Sequence, residues 1–75
     1  MERYKKLGKG SGVFGYEIRD NYIIVQFKDG SQYIYNESIP GKYHVTKLKE
    51  FALRGIGLNS YINSAIKKNY AAKLR

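Results

Sequence analysis

From Lys42 to the C-terminus, eight basic side chains (Lys42, Lys47, Lys49, Arg54, Lys67, Lys68, Lys73, Arg75) stand against a single acid, Glu50. Ammonium and guanidinium groups at that density attract and hold polyanions, and nucleic acid is the commonest polyanion inside cells. The local charge of this segment is +7, that of residues 10–41 is −2 and that of residues 1–9 is +3, within a total of +8. Lys47 and Arg54 lie at helical neighbour spacing from Glu50, so part of that charge is paired locally. Lys67, Lys68, Lys73 and Arg75 have no acid near them in sequence. They are the expected phosphate contacts, with Lys47, Lys49 and Arg54 in support.

Other chemistry is poorly supplied. Gly10-Ser11-Gly12-Val13-Phe14-Gly15 spells G-x-G-x-x-G, but a dinucleotide site needs a strand before it and a helix after it. Here a loose basic stretch precedes and a strand follows, so the glycines read as a hinge. His44 is the lone histidine, with no positioned nucleophile or carboxylate to make it catalytic. One His, no Cys and six scattered acids offer no metal-ligand set. Glu17, Asp20, Asp29 and Glu37 sit beside turns and strand ends, not as a hydrolytic pair. The reading is of a non-enzymatic protein with no cofactor. Asn36-Glu37-Ser38 is a glycosylation sequon without a secretory signal to give it meaning. With no apolar leader and no run of about 20 apolar residues, the expectation is a soluble, cytoplasmic monomer that meets no membrane.

These residues need a scaffold, and seventy-five residues make one domain. A chain this small hides only about 60–65% of its unfolded surface, and without cysteines it must rely on eight Tyr and three Phe for bulk. Residues 1–12, basic and then Gly-rich, read as a flexible arm, with residues 1–9 disordered on their own. Residues 13–75 form the domain. Strands are expected at residues 13–18, 22–28 and 31–36, separated by Asp20-Asn21 and Asp29-Gly30. The hairpin register has two solutions. A two-residue Asp29-Gly30 turn pairs Val25 with Ile34 and turns Tyr33 and Tyr35 away from the core, where they could stack on bases. A three-residue Lys28-Asp29-Gly30 loop, with Gly30 left-handed, pairs Val25 with Tyr33 and makes one face of Ile23, Val25, Phe27, Tyr33 and Tyr35. The second is favoured because it yields a single apolar face.

Pro40 is placed in the first turn of a helix whose inner face is Val45, Leu48, Phe51 and Ala52, with His44 at its edge. Gly55-Ile56-Gly57 ends it. Asn59 or Ser60 is expected to cap a second helix with Leu58, Ile62, Ala65 and Ile66 inside and Ser60, Ser64, Lys67 and Lys68 outside. The tail is expected to fray, since Lys73 falls on the apolar stripe. The fold class is therefore α+β, a three-stranded antiparallel meander covered on one face by two C-terminal helices, in the order β-β-β-α-α.

The run from Gly15 to Ile62 resembles the KTSC domain, a short module at the C-terminus of some lysyl-tRNA synthetases and in stand-alone small bacterial and phage proteins. The matching features are Gly15-Tyr16, alternating Ile23, Val25 and Phe27, the hairpin Gly30, Tyr33-Ile34-Tyr35, Ile39-Pro40, Leu48, and the series Gly55, Asn59, Ile62. Leu53 and Asn63 depart from the Ser and Arg often found at those family positions. The resemblance implies the same small fold, and its synthetase context suggests RNA as a ligand. The expected function is thus a small basic module that binds RNA or other nucleic acid through phosphates on its helical and C-terminal side. Gly55-Ile56-Gly57 is weighed as a phosphate cradle and read instead as a helix–helix corner. Lys28, on the acidic sheet segment, is expected to matter little. The alternative is a protein-interaction module that docks an acidic partner.

Overall fold

The computed structural model describes residues 1–6 and 12–75. Its elements run β1 (Glu2–Arg3), β2 (Val13–Ile18), β3 (Tyr22–Phe27), β4 (Gln32–Asn36), α1 (Lys42–Arg54), α2 (Leu58–Tyr61) continuing into a π-helical turn (Ile62–Ile66), and β5 (Ala72–Lys73). The described strands form one antiparallel sheet in the order β1-β2-β3-β4-β5. The class is α+β, with an antiparallel sheet and two helices. The sheet has five strands, not three.

The central hairpin takes the three-residue solution. Phe27 N–H donates to Ser31 O at 2.9 Å and Gly30 N–H to Phe27 O at 3.0 Å. Gly30 has φ 91°, a left-handed conformation that costs glycine nothing. Val25 lies opposite Tyr33 and Ile23 opposite Tyr35, so their side chains share the helix-facing side. Ile23, Val25 and Tyr35 are buried there with Val45, Leu48, Ala52, Leu58, Ile62 and Ile66, while Phe27 and Tyr33 pack half-buried at the edge of that core.

The two outer strands are where the sequence reading fails. A two-residue strand has no periodicity to read; its pairing is decided by what anchors it. At the N-terminus the anchor is Tyr4, which is 2% exposed. Its N–H donates to Phe14 O at 3.0 Å and its hydroxyl accepts the Leu58 N–H at 3.2 Å. Residues 2–4 are therefore built into the fold and not part of a flexible arm; the rest of the Gly-rich stretch, residues 7–11, lies outside the described residues. Gly15 makes this approach possible, because a Cβ there would stand 2.8 Å from Glu2 O. At the other end the tail does not fray: Ala71 N–H donates to Ile34 O at 2.8 Å and Leu74 N–H to Gln32 O at 2.7 Å, which seats β5 along β4.

The helices differ in detail from expectation. Pro40 stands outside α1, bridging to Asn36, and Gly41 is the N-cap. Gly55 closes α1 in the left-handed conformation, its N–H donating to Phe51 O, as Gly was expected to. Gly57, not Asn59 or Ser60, caps α2, which places Asn59 inside the first turn. Ala65 is exposed because the π-helical turn has more residues per turn than an α-helix, which rotates it off the Leu58, Ile62, Ile66 row.

Candidate nucleic-acid interface

The π-helical turn ends abruptly. Lys67 has φ 57° and ψ −122°, and Asn69 N–H returns to Ile66 O at 3.0 Å. These are the dihedrals of the first central residue of a type II′ turn, a position that favours glycine. The reversal sends the chain back across the sheet to β5 and leaves a cleft of about 460 Å³ between the helix end and the β3–β4 hairpin. Lys67 and Lys68 line it from one side and Lys28 from the other. Phe27, Tyr33, Tyr35 and Tyr70 supply its apolar wall.

The aromatic groups interlock. Tyr33 and Tyr70 have ring centroids 4.6 Å apart, and Phe27 meets Tyr33 edge-on at 5.7 Å. Lys73, opposite Tyr33 in the sheet, holds its ammonium 5.8 Å from the centre of that ring, a cation–π distance. Tyr35 is 1% exposed yet lines the cleft, and its hydroxyl has no hydrogen-bond partner among the described residues. Burial, and then the neighbouring phenols of Tyr33 and Tyr70, push that hydroxyl's pKa up to about 12, so it stays protonated as a donor. Asp29 is the one acid lining the cleft among the described residues. Its carboxylate accepts the Ser31 hydroxyl at 2.6 Å and the Ser31 N–H at 2.9 Å. The hydroxyl bond first, then the backbone bonds, hold its pKa below the usual value, with burial opposing weakly and Lys73 adding a small pull.

The basic residues expected to act together fall into two places. Lys67 and Lys68 line the cleft, Lys73 stands over one of its rings, and the Arg75 backbone pairs with Gln32 at the same end of β4. Lys49 instead donates to Asp20 O at 2.9 Å, at the β2–β3 turn, the opposite end of β3 from the hairpin. Lys47 is 3.9 Å from Glu50 and also sits over Tyr43, and the Arg54 guanidinium stacks over Phe51. These three are tied to α1 and its neighbours, away from the cleft. Lys28, expected to matter little, belongs to it. Sequence separation hides that link: Lys28 and Lys67 meet because the hairpin tip and the helix end share one edge of the core. Tyr70 was also missed, since nothing local marks it.

His44 follows the expectation of a packed histidine. Its Nδ1 lies 2.6 Å from the Tyr61 hydroxyl, within an aromatic group that includes Tyr43 and Phe51. Burial, and then Tyr43, raise the Tyr61 pKa. The Gly55-Ile56-Gly57 corner is filled by Phe51, whose ring would stand 3.0 Å from a Cβ on Gly57. Among the described residues there is no cluster of three metal-ligating side chains, and no helix is long and apolar enough to cross a membrane. Comparison with known proteins finds no matching family, no matching characterised protein and no matching solved structure. The KTSC likeness therefore rests on the order and spacing of its motifs.

Proposed function

We propose that this protein is a non-enzymatic module that binds nucleic acid, RNA foremost, mainly through its phosphates. The observation that carries the reading is the convergence of Lys28, Lys67 and Lys68 on one aromatic-lined cleft, with Lys73 beside it. None of these four ammonium groups has an ion-pair partner among the described residues. The one acid lining the cleft among the described residues, Asp29, accepts two hydrogen bonds from Ser31, and its one negative charge is outnumbered by the ammonium groups. Charges held near one another and left unneutralised favour a polyanion over a solvated face. The contact set is thereby narrowed to Lys28, Lys67, Lys68, Lys73 and Arg75; Lys47, Lys49 and Arg54 add general attraction only. The KTSC likeness points to the same ligand class.

The test is affinity for a mixed-sequence RNA across a salt series. Phosphate contacts make log affinity fall linearly with log salt, and each contact removed lowers the slope by roughly 0.7–0.9. Lys67→Glu/Lys68→Glu is expected to nearly abolish binding at moderate salt, and Lys28→Glu to weaken it clearly. Lys49→Glu is expected to do much less than either. If the double variant binds as well as the parent, the reading is wrong, and salt-tolerant binding to an acidic protein becomes the better account.

A further inference from the structure

A site for phosphate alone needs charge and no more. This cleft also has half-buried rings, and the hydroxyl of Tyr35, which bonds no described residue. We propose that it accepts one unstacked base of a single-stranded nucleic acid, the ring packed against Tyr33 and Tyr70, a polar edge atom on the Tyr35 hydroxyl, and a flanking phosphate on Lys67. This rests on the nucleic-acid reading above and narrows it to single strands.

Four observations support it. The cleft's volume of about 460 Å³ is in the range of small-ligand sites, roughly 300–1,000 Å³. Aromatic rings beside ammonium groups form the arrangement by which proteins hold single strands, because every base has a face to stack and every nucleotide a phosphate. A base inside a duplex has both faces covered and cannot enter without being flipped out. The Tyr35 hydroxyl bonds no described residue and is not sealed off, since no buried side-chain polar atom among the described residues lacks a partner, so it is free to donate to a group in the cleft. Finally, Lys67 occupies a backbone conformation that suits glycine. Unfavourable dihedrals concentrate at functional positions, and here the strained residue is the one that carries the ammonium to the cleft mouth.

The experiment compares a short mixed-sequence single-stranded RNA with the same sequence as a duplex, at one salt concentration, by fluorescence anisotropy. The single strand is expected to bind roughly 5- to 100-fold tighter. Tyr70→Leu is expected to remove most of that ratio, and Tyr35→Phe to reduce it and to narrow any preference among bases. Because Tyr70→Leu could disturb the fold, amide and ring NMR shifts of the unaltered protein are followed in parallel. The single strand is expected to move Phe27, Tyr33, Lys67 and Tyr70 and to leave the outward-facing Gln26 and Gln32 in place. Equal or tighter duplex binding, or shifts confined to residues outside the cleft, overturns the base pocket. Salt-dependent binding of both forms in that case leaves the phosphate reading standing. Absence of binding to either form overturns both.

Discussion

Replacing Lys67 with glycine should make this protein more stable while weakening its hold on nucleic acid. A non-glycine residue at φ 57°, ψ −122° stores on the order of 1–3 kcal/mol, which a glycine releases. Glycine gains about 0.5–1 kcal/mol of unfolded-state freedom, which acts in the opposite direction. Lys67 is exposed and makes no hydrogen bond or ion pair through its side chain among the described residues, so little packing is lost. The net expectation is a gain of about 0.5–2 kcal/mol. For a chain of this length that is a rise in Tm of roughly 3–12 °C. Thermal and urea unfolding, with Lys67→Ala alongside, provide the assay: alanine keeps the strain and should show no such gain. Affinity for single-stranded RNA should fall in both variants, since both lose the ammonium group. A Lys67→Gly protein no more stable than Lys67→Ala would refute the claim that the backbone is strained there, and with it one support for the cleft as a selected site.

The N-terminal strand gives a second expectation. Tyr4→Phe leaves the Leu58 N–H without its acceptor and should cost about 1–3 kcal/mol in urea unfolding, where a loosely held arm would cost nothing. Alkaline stability should depend on Tyr35. Its folded pKa of about 12 lies above the ordinary 10, so its contribution is complete below pH 10 and is lost as pH rises toward 12. In Tyr35→Phe that portion of the alkaline transition should disappear, as followed by circular dichroism. Asp29→Asn removes the acid from the cleft and should tighten RNA binding severalfold at low salt, with the gain fading as salt is raised. The loss of its bonds to Ser31 is checked by hairpin amide shifts.

The hairpin and the helical faces were legible because their signals are local. Two registers fit the alternation at Ile23, Val25 and Phe27; the demand for a single apolar face, with Gly30 left-handed, favours the one observed, and spacing picks out Val45, Leu48 and Ala52. The outer strands were not, because two residues carry no pattern and their pairing depends on tertiary anchors such as Tyr4 with Leu58. The winding of Ile62–Ile66 is likewise invisible in sequence, yet it decides that Ala65 is exposed. Charge counting singled out Lys67, Lys68 and Lys73, which lie at or beside the cleft. It grouped them with Lys47, Lys49 and Arg54, because a sum over sequence cannot tell that Lys49 is fastened to the β2–β3 turn. It also passed over Lys28 and Tyr70, which join the cleft only through the folding of distant segments onto one edge.

The proposed hold on phosphates at one cleft rests on Lys28, Lys67 and Lys68, with Lys73 and Arg75 beside them. It is tested most directly by the salt dependence of binding to single-stranded RNA in the parent and in Lys67→Glu/Lys68→Glu. Five phosphate contacts predict a parent slope of roughly −3.5 in log affinity against log salt, and loss of two predicts a fall in its magnitude of about 1.4 together with most of the affinity. An unchanged slope with unchanged affinity in the double variant would place the binding surface elsewhere and contradict the account.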